Sequence, residues 1–224
     1  EIRLWDMSQV HGITRFRKTF HFCIWISHGR SWNRKKVFTT GASIDEENQI
    51  SRWRKEGKHL VLRFVCDIPG DEEHMDIPEW LYEKSGEAGK WYDGEYGKGF
   101  APDYNNPTII SCHKKAVRAI GEHFGQDGLI SYVELGSLGH WGEWHVNYSE
   151  GIQRIPREAV REKYILPWTE AFPGAMILMR RPFAAAEKYR FGLYNDMTGQ
   201  PEAHRAGWAG SIMVVNMIRQ VKRM

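Results

Sequence analysis

The densest group of reactive side chains lies in residues 134–145, which read ELGSLGHWGEWH. Glu143 stands between Trp141 and Trp144, whose rings have apolar faces suited to sugar rings. Desolvation between two such rings raises the pKa of a carboxylic acid. Glu143 is therefore predicted to stay protonated near neutral pH and to protonate the leaving oxygen of a glycoside. Glu134, the second carboxylic acid of the segment, ends an apolar run.

Two other interpretations of the segment stay open. In the first, it is an aromatic loop packed over the strand ends, and Glu143 forms an ion pair. In the second, His140, Glu143 and His145 bind zinc. Their spacing is HxxExH rather than HExxH, so a helix would not place both histidines on one face. We therefore expect no metal and no cofactor, and we expect each histidine to hydrogen-bond a hydroxyl or the neighbouring carboxylate.

The elements that must position these residues alternate along the middle of the chain. Short runs rich in β-forming residues predict buried strands, and apolar residues at helical spacing predict helices. A long polar and aromatic loop is expected over 67–106. The predicted helices are 45–56, 107–124, 156–172 and 183–189, and the predicted strands are 59–66, 129–135, 175–179 and 192–195.

This alternation predicts an α/β fold with parallel strands and right-handed crossovers. Both an open doubly wound sheet and a (β/α)8 barrel fit it. No GxGxxG or Walker motif follows a strand, whereas the loops that follow strands are long or aromatic. Catalytic groups of a barrel lie at the C-terminal strand ends, where this chain has polar and aromatic residues. We therefore predict a partial TIM barrel, with roughly strands three to six legible.

Further polar residues at the strand ends extend the candidate substrate-binding site. Arg63 lies within an apolar strand, so we expect it to face the barrel interior and to pair with a carboxylate such as Glu134. For the outlying candidates, a structural ion pair or a solvated loop is about as consistent with the sequence as ligand contact. The predicted substrate-binding set is Arg63, Asp67, His74, Trp91, Tyr104, His140, Trp141, Trp144, His145, Arg180, Asn195 and Asp196.

The net charge of +3 is unevenly distributed. Residues 1–40 carry +6 and residues 204–224 carry +4, while residues 41–203 carry −7. Basic arms that bind nucleic acid are one explanation, but no recognisable nucleic-acid-binding module accompanies them, and we predict no such partner. No apolar run approaches the roughly 20 residues of a membrane span. Three widely spaced cysteines do not predict a disulfide framework.

Several segments resemble one group of barrel proteins. The segments LVLRFVCDIPG, MDIPEWLYE, YVELGSLGHWGEWH, AFPGAMILMRRPF and YNDMTG are similar to bacterial glycoside-hydrolase-like (β/α)8 proteins of the retaining, β-galactosidase-like superfamily. They look most like a poorly characterised group often labelled a domain of unknown function. The resemblance covers residues 42–203, and its most specific part is GxWGEWH.

The resemblance implies an acid/base glutamate at the end of strand four and a nucleophilic glutamate at the end of strand seven. It assigns the first role to Glu143, with Glu134 as the second choice. No glutamate follows Glu202, so it assigns no nucleophile. It implies that the intact parent is a retaining glycoside hydrolase acting on an oligo- or polysaccharide and that this chain is inactive alone. The alternative is a non-catalytic carbohydrate-binding barrel.

Residues 1–41 and 204–224 do not share the family pattern. Synonymous codons for residues 1–40, read in the neighbouring frame, give a string containing FLYMDITW and ELEPEEGVYDW, which resembles the second strand and loop of such barrels. We therefore expect both ends to be translated in a shifted frame, with the family-like domain at 42–203. The nucleotide sequence tests this hypothesis. The cellular compartment is left open.

Overall fold

The computed structural model of the chain describes residues 22–28 and 50–194. Within these ranges the strands are β1 (Phe22–His28), β2 (His59–Val65), β3 (Gly89–Gly94), β4 (Gly97–Pro102), β5 (Ile130–Glu134), β6 (Met176–Met179) and β7 (Gly192–Leu193). The α-helices are α1 (Ile50–Lys55), α2 (Glu79–Lys84), α3 (Pro107–Phe124), α4 (Glu158–Ala171) and α5 (Ala184–Lys188).

Five of these strands form one parallel sheet in the order β1-β2-β5-β6-β7. Each strand of this sheet thus pairs with the previous strand of the same sheet, since β3 and β4 form a separate one. A doubly wound sheet reverses its direction at a switch point, whereas a barrel adds strands in chain order. The predicted α/β class with a parallel sheet is confirmed, and the strand order is that of a partial (β/α)8 barrel.

Helix α3 illustrates how local sequence sets the elements. The side chain of Asn106 accepts hydrogen bonds from the backbone N–H groups of Thr108 and Ile109, and Pro107 occupies the first turn, where no N–H is needed. The buried face of the helix includes Val117 and Ile120, which belong to the same core cluster as β2 and β5. The predicted start and end of this helix are confirmed.

The predicted loop over 67–106 contains more structure than its composition indicated. Helix α2 lies within it, and β3 and β4 form an antiparallel hairpin with a turn between Gly94 and Gly97. Four glycines in the hairpin strands conceal the alternating pattern of a strand. This hairpin stands between β2 and α3, beside the C-terminal ends of the sheet strands.

Strand β1 lies within the segment that the sequence analysis treats as atypical. Its backbone pairs in parallel with β2 along its whole length, from Phe22 opposite His59 to His28 opposite Val65. Its sequence, FCIWISH, lacks a sustained alternation of apolar and polar residues, so the periodicity did not reveal it. The rest of residues 1–41, the start of the predicted helix 45–56, and residues 195–224 lie outside the described residues. In the described ranges, no helix is both long and apolar enough to cross a membrane.

Candidate active site

The candidate site is built on the C-terminal ends of the parallel strands. Glu134 is the last residue of β5, Arg180 follows β6, and Tyr194 follows β7. Asp67 lies two residues beyond β2. Because these strands are parallel, all four residues lie at the same edge of the sheet, which is the catalytic edge of a barrel.

Arg63 and Glu134 form a buried ion pair across adjacent strands. The two residues are register partners in β2 and β5, and Nε of Arg63 lies 2.6 Å from Oε2 of Glu134. The expected partner of Arg63 is therefore confirmed. The guanidinium also lies 4.9 Å from the ring centroid of Tyr194. Burial raises the pKa of Tyr194, and its hydroxyl has no hydrogen-bond partner among the described residues.

Glu143 lies between the side chains of His145 and Arg180 at this edge. Its Oε2 is 3.3 Å from Nε2 of His145 and 3.7 Å from Nε of Arg180, and its side chain is 12% exposed. Arg181 donates a hydrogen bond from Nε to the backbone carbonyl of Glu143 over 3.4 Å. The carboxylate is thus oriented by an ion pair, as the structural alternative predicts, and retains access to solvent.

The loop that carries Glu143 has an unusual backbone. Gly139 and Gly142 have positive φ angles, as do two tryptophans, Trp141 at 53° and Trp144 at 61°. Bulky residues rarely adopt this left-handed region, and such strain persists only where surrounding contacts impose it. Here the backbone N–H of Trp144 donates to the carbonyl of Leu138 over 2.9 Å. This hydrogen bond is one of the contacts that hold the backbone of the loop around Glu143.

The two tryptophans that flank Glu143 have different environments. Trp144 is 2% exposed, donates from its indole Nε1 to the carbonyl of Leu135 over 2.6 Å, and packs beside Phe183. Its ring belongs to the core and presents no face to a ligand. Trp141 is only partly buried. Of the pair predicted to stack on sugars, Trp141 alone keeps solvent-accessible surface.

A second exposed ring lies beside Trp141. Tyr96, in the turn of the β3–β4 hairpin, is 44% exposed, and its ring centroid lies 5.4 Å from that of Trp141 and 6.2 Å from that of His145. We name Tyr96, Trp141 and His145 the aromatic surface. Tyr96 was not predicted from the sequence, where its one signal was an aromatic residue within a glycine-rich turn.

Asp67 and His140 are buried rather than open to a ligand. Asp67 is 0% exposed and His140 1% exposed, and Oδ2 of Asp67 lies 2.9 Å from Nδ1 of His140. The Tyr92 hydroxyl donates to Oδ1 of Asp67 over 2.6 Å. Burial and the neighbouring Asp67 carboxylate raise the pKa of Tyr92. Tyr92, which was not among the predicted site residues, therefore belongs to this cluster.

Three other predicted substrate-binding residues make contacts away from Glu143. The buried Tyr104 hydroxyl accepts a hydrogen bond from the backbone N–H of Gly139 over 3.0 Å, so Tyr104 supports the loop from below. Trp91 packs against Tyr82 and Phe100, and strand alternation places it on the opposite face of the hairpin from Tyr92.

His74 is the third of these residues, and its Nε2 lies 3.5 Å from Oδ2 of Asp76. Asn195 and Asp196 lie outside the described residues. Within the described ranges, no three histidine, cysteine or acidic side chains are grouped in a way that could hold a metal ion.

No protein-family model matches the chain, and no curated protein matches it. Solved structures of endo-glycoceramidase II from Rhodococcus sp. are similar to part of it. The complex with a cellobiose-like imidazole aligns at 13% identity and a TM-score of 0.47, over 80% of this chain and 46% of that one. The lactosyl-enzyme intermediate aligns at 12% identity and a TM-score of 0.46, over 70% and 40%. The chain spans less than half the length of these structures, and its fold assignment rests on its own sheet.

Proposed function

We propose that this chain is the carbohydrate-binding part of a (β/α)8 barrel whose intact parent hydrolyses O-glycosidic bonds with retention. The observation that carries the proposal is the position of Glu143, a partly exposed carboxylate at the C-terminal strand edge and beside the aromatic surface. The segment resemblance further supports membership in the poorly characterised group of glycoside-hydrolase-like barrels.

The rings of the aromatic surface pack against one another, so the surface can offer a sugar only its outer faces. Centroids of Tyr96 and Trp141 only 5.4 Å apart leave no room for a sugar ring between them, since each stacked layer needs about 3.5–4 Å. A sugar therefore stacks on the outer faces of this surface rather than within it.

In this proposal Glu143 is the acid/base residue. Its neighbours His145 and Arg180 orient the carboxyl group and exchange hydrogen bonds with the sugar hydroxyls. A retaining enzyme also needs a nucleophilic carboxylate about 5–5.5 Å from the acid. Glu134 is the weaker candidate for either role, because Arg63 already binds its carboxylate in a buried pair. The nucleophile is assigned to the parent protein.

The second candidate function is a catalytically silent barrel that binds polysaccharide through the same surface. It is favoured by the ion pair between Glu143 and Arg180, which gives the carboxylate a structural role. The two functions differ in the effect of Glu143→Gln. In the hydrolase, this change lowers turnover by the parent by at least about a hundredfold, whereas in the binding protein it leaves affinity nearly unchanged. Glu150→Gln, in the turn beyond the loop, is the control.

The carbohydrate-binding proposal is tested by titrating the chain with cello-, xylo- and galacto-oligosaccharides while following tryptophan fluorescence. We expect one series to quench the emission and Trp141→Ala to weaken that binding about tenfold, because a stacked ring is lost. Trp80→Ala is the control, since Trp80 is another solvent-accessible tryptophan, 40% exposed, but lies on α2. Equal affinities for the wild type and Trp141→Ala, or no binding in any series, would contradict the proposal.

A further inference from the structure

Asp67 connects three separate elements at the strand edge. Its carboxylate meets Tyr92 of the hairpin through one oxygen and His140 of the glycine-rich loop through the other. Its backbone carbonyl accepts a hydrogen bond from the N–H of Trp141 over 2.8 Å. A fully buried carboxylate is costly without strong partners, so all these contacts are needed to keep Asp67 in place.

His140 occupies the centre of the neighbouring rings. Its imidazole centroid lies 5.0 Å from that of Tyr92, 6.0 Å from Tyr96, 5.9 Å from Trp141 and 6.1 Å from His145. All three members of the aromatic surface therefore pack around this one buried ring. The His140 ring is thus a shared packing partner of the whole aromatic surface.

The proton on His140 follows from its surroundings. Nδ1 of His140 and Oδ2 of Asp67 lie 2.9 Å apart as buried neighbours, although the contact lacks hydrogen-bond geometry, and no hydrogen bond from the described residues reaches either atom. An ionised carboxylate only accepts hydrogen bonds, so this contact favours the tautomer with the proton on Nδ1. Asp67 thus restrains the imidazole ring, as second-sphere carboxylates do for other functional histidines.

We propose that Asp67 is a positioning residue for carbohydrate binding, which acts through His140 and Tyr92 to fix the aromatic surface before a sugar arrives. This inference rests on the proposed carbohydrate-binding function. It replaces the direct ligand contact that the sequence predicted for Asp67 and His140 with an indirect role. A surface fixed in advance loses less side-chain freedom when the ligand binds, and affinity rises accordingly.

The test is Asp67→Asn, which preserves the shape of the side chain. An amide attracts the Nδ1 proton less strongly than a carboxylate does, because the negative charge is lost. We expect nitrogen-15 NMR of the imidazole to show a smaller Nδ1–H fraction at His140 than in the wild type. We also expect the affinity for the oligosaccharide that binds the wild type best to fall about tenfold.

Asp76→Asn is the matched control. Asp76 is also buried in the segment after β2, but its carboxylate accepts from the backbone N–H of Ile68 over 2.7 Å and lies beside His74. We expect this variant to lower stability while leaving both the His140 tautomer and the affinity unchanged. Should Asp67→Asn fail to fold, Tyr92→Phe removes one contact of Asp67 and is expected to weaken sugar binding about threefold.

Wild-type affinity in a folded Asp67→Asn protein, or in Tyr92→Phe, would overturn the positioning role while leaving the proposed function intact. An equal loss of affinity in Asp76→Asn would also overturn it, because the effect would then be general. If the wild type binds none of the oligosaccharides, the proposed function fails and the positioning role fails with it.

Discussion

At the scale of single residues, burial decides which ionisable side chains depend on pH. His113, on the inner face of α3, is fully enclosed, and its Nε2 lies 2.7 Å from the Ser137 hydroxyl. Burial lowers the pKa of His113 from 6.5 to about 3, because the charged imidazole loses its hydration. The folded protein therefore holds this histidine neutral across the whole physiological range.

This difference between the pKa of His113 in the folded and unfolded chain makes stability fall in weak acid. Between pH 6.5 and about 3 the unfolded chain binds a proton at His113 that the folded chain does not, so the free energy of unfolding decreases as the pH is lowered. We expect the loss to approach about 1.4 kcal/mol per pH unit in that window and to vanish above pH 6.5. Urea unfolding at several pH values measures it.

His113→Asn should reduce the pH slope by that amount, whatever its effect on stability at neutral pH. His123→Gln is the control, because His123 lies on the same helix and is exposed. The idea is wrong if the wild type and His113→Asn show parallel stability profiles from pH 4 to 7.

The sequence predicted the chemistry of individual residues better than their exposure. The pairing of Arg63 with Glu134 followed from a charge within an apolar strand, and the structure confirms it. The roles of Trp141 and Trp144 did not follow, since both residues have a left-handed backbone, yet one ring is partly exposed and the other is buried. Such turns are set by tertiary contacts, which one-dimensional spacing does not encode.

At the scale of elements, the glycine-rich loop depends on close backbone contact. Gly142 has a φ of 69°, and a Cβ atom added there would overlap the carbonyl oxygen of Gly136. Both features exclude a side chain. The sequence indicated the close turn through its three glycines, but it did not indicate that two of them touch.

Gly142→Ala should therefore lower the free energy of unfolding by more than the strain of the left-handed backbone alone. We expect a loss of about 3 kcal/mol in the free energy of unfolding, because the clash with Gly136 adds to the left-handed conformation. Gly57→Ala is the matched control, since Gly57 has a φ of 65° but no atom near the added Cβ, and it should cost about 1–2 kcal/mol. Equal losses in urea unfolding would show that the contact with Gly136 is unimportant.

The hairpin was the main element that the sequence did not predict. Strand pairing between residues such as Trp91 and Phe100 gives it structure, although its glycines weaken any local preference for a strand. In contrast, α3 was predicted to its ends because Pro107 and Gly125 are local signals. Elements defined by local caps were readable, and those defined by pairing partners were not.

At the scale of the whole molecule, the described strands supply five members of a parallel sheet, whereas a closed (β/α)8 barrel pairs eight. A sheet edge that is not paired or covered exposes backbone donors and acceptors and promotes association. The sequence predicted the parallel architecture from the alternation of strands and helices. Strand β1 was missed because the basic, aperiodic composition around it suggested a different origin.

We expect the isolated chain to be marginally stable or prone to aggregation and to lack glycosidase activity. Light scattering during thermal unfolding and an aryl-glycoside assay measure the two properties. Supplying the complementary strands, by expressing the longer parent, is the control and should restore solubility. A soluble monomer that unfolds cooperatively and turns over an aryl glycoside would contradict the expectation.

The strand order has a consequence for how the chain folds. Because β1, β2, β5, β6 and β7 are neighbours in the same order in which they are synthesised, each new unit can dock on the one before it. Within the described sheet, every strand pairs with the sheet strand made just before it, so none of these pairings waits for a later segment to be inserted between the two. The described sheet can therefore fold one unit at a time during translation, beginning from its N-terminal side.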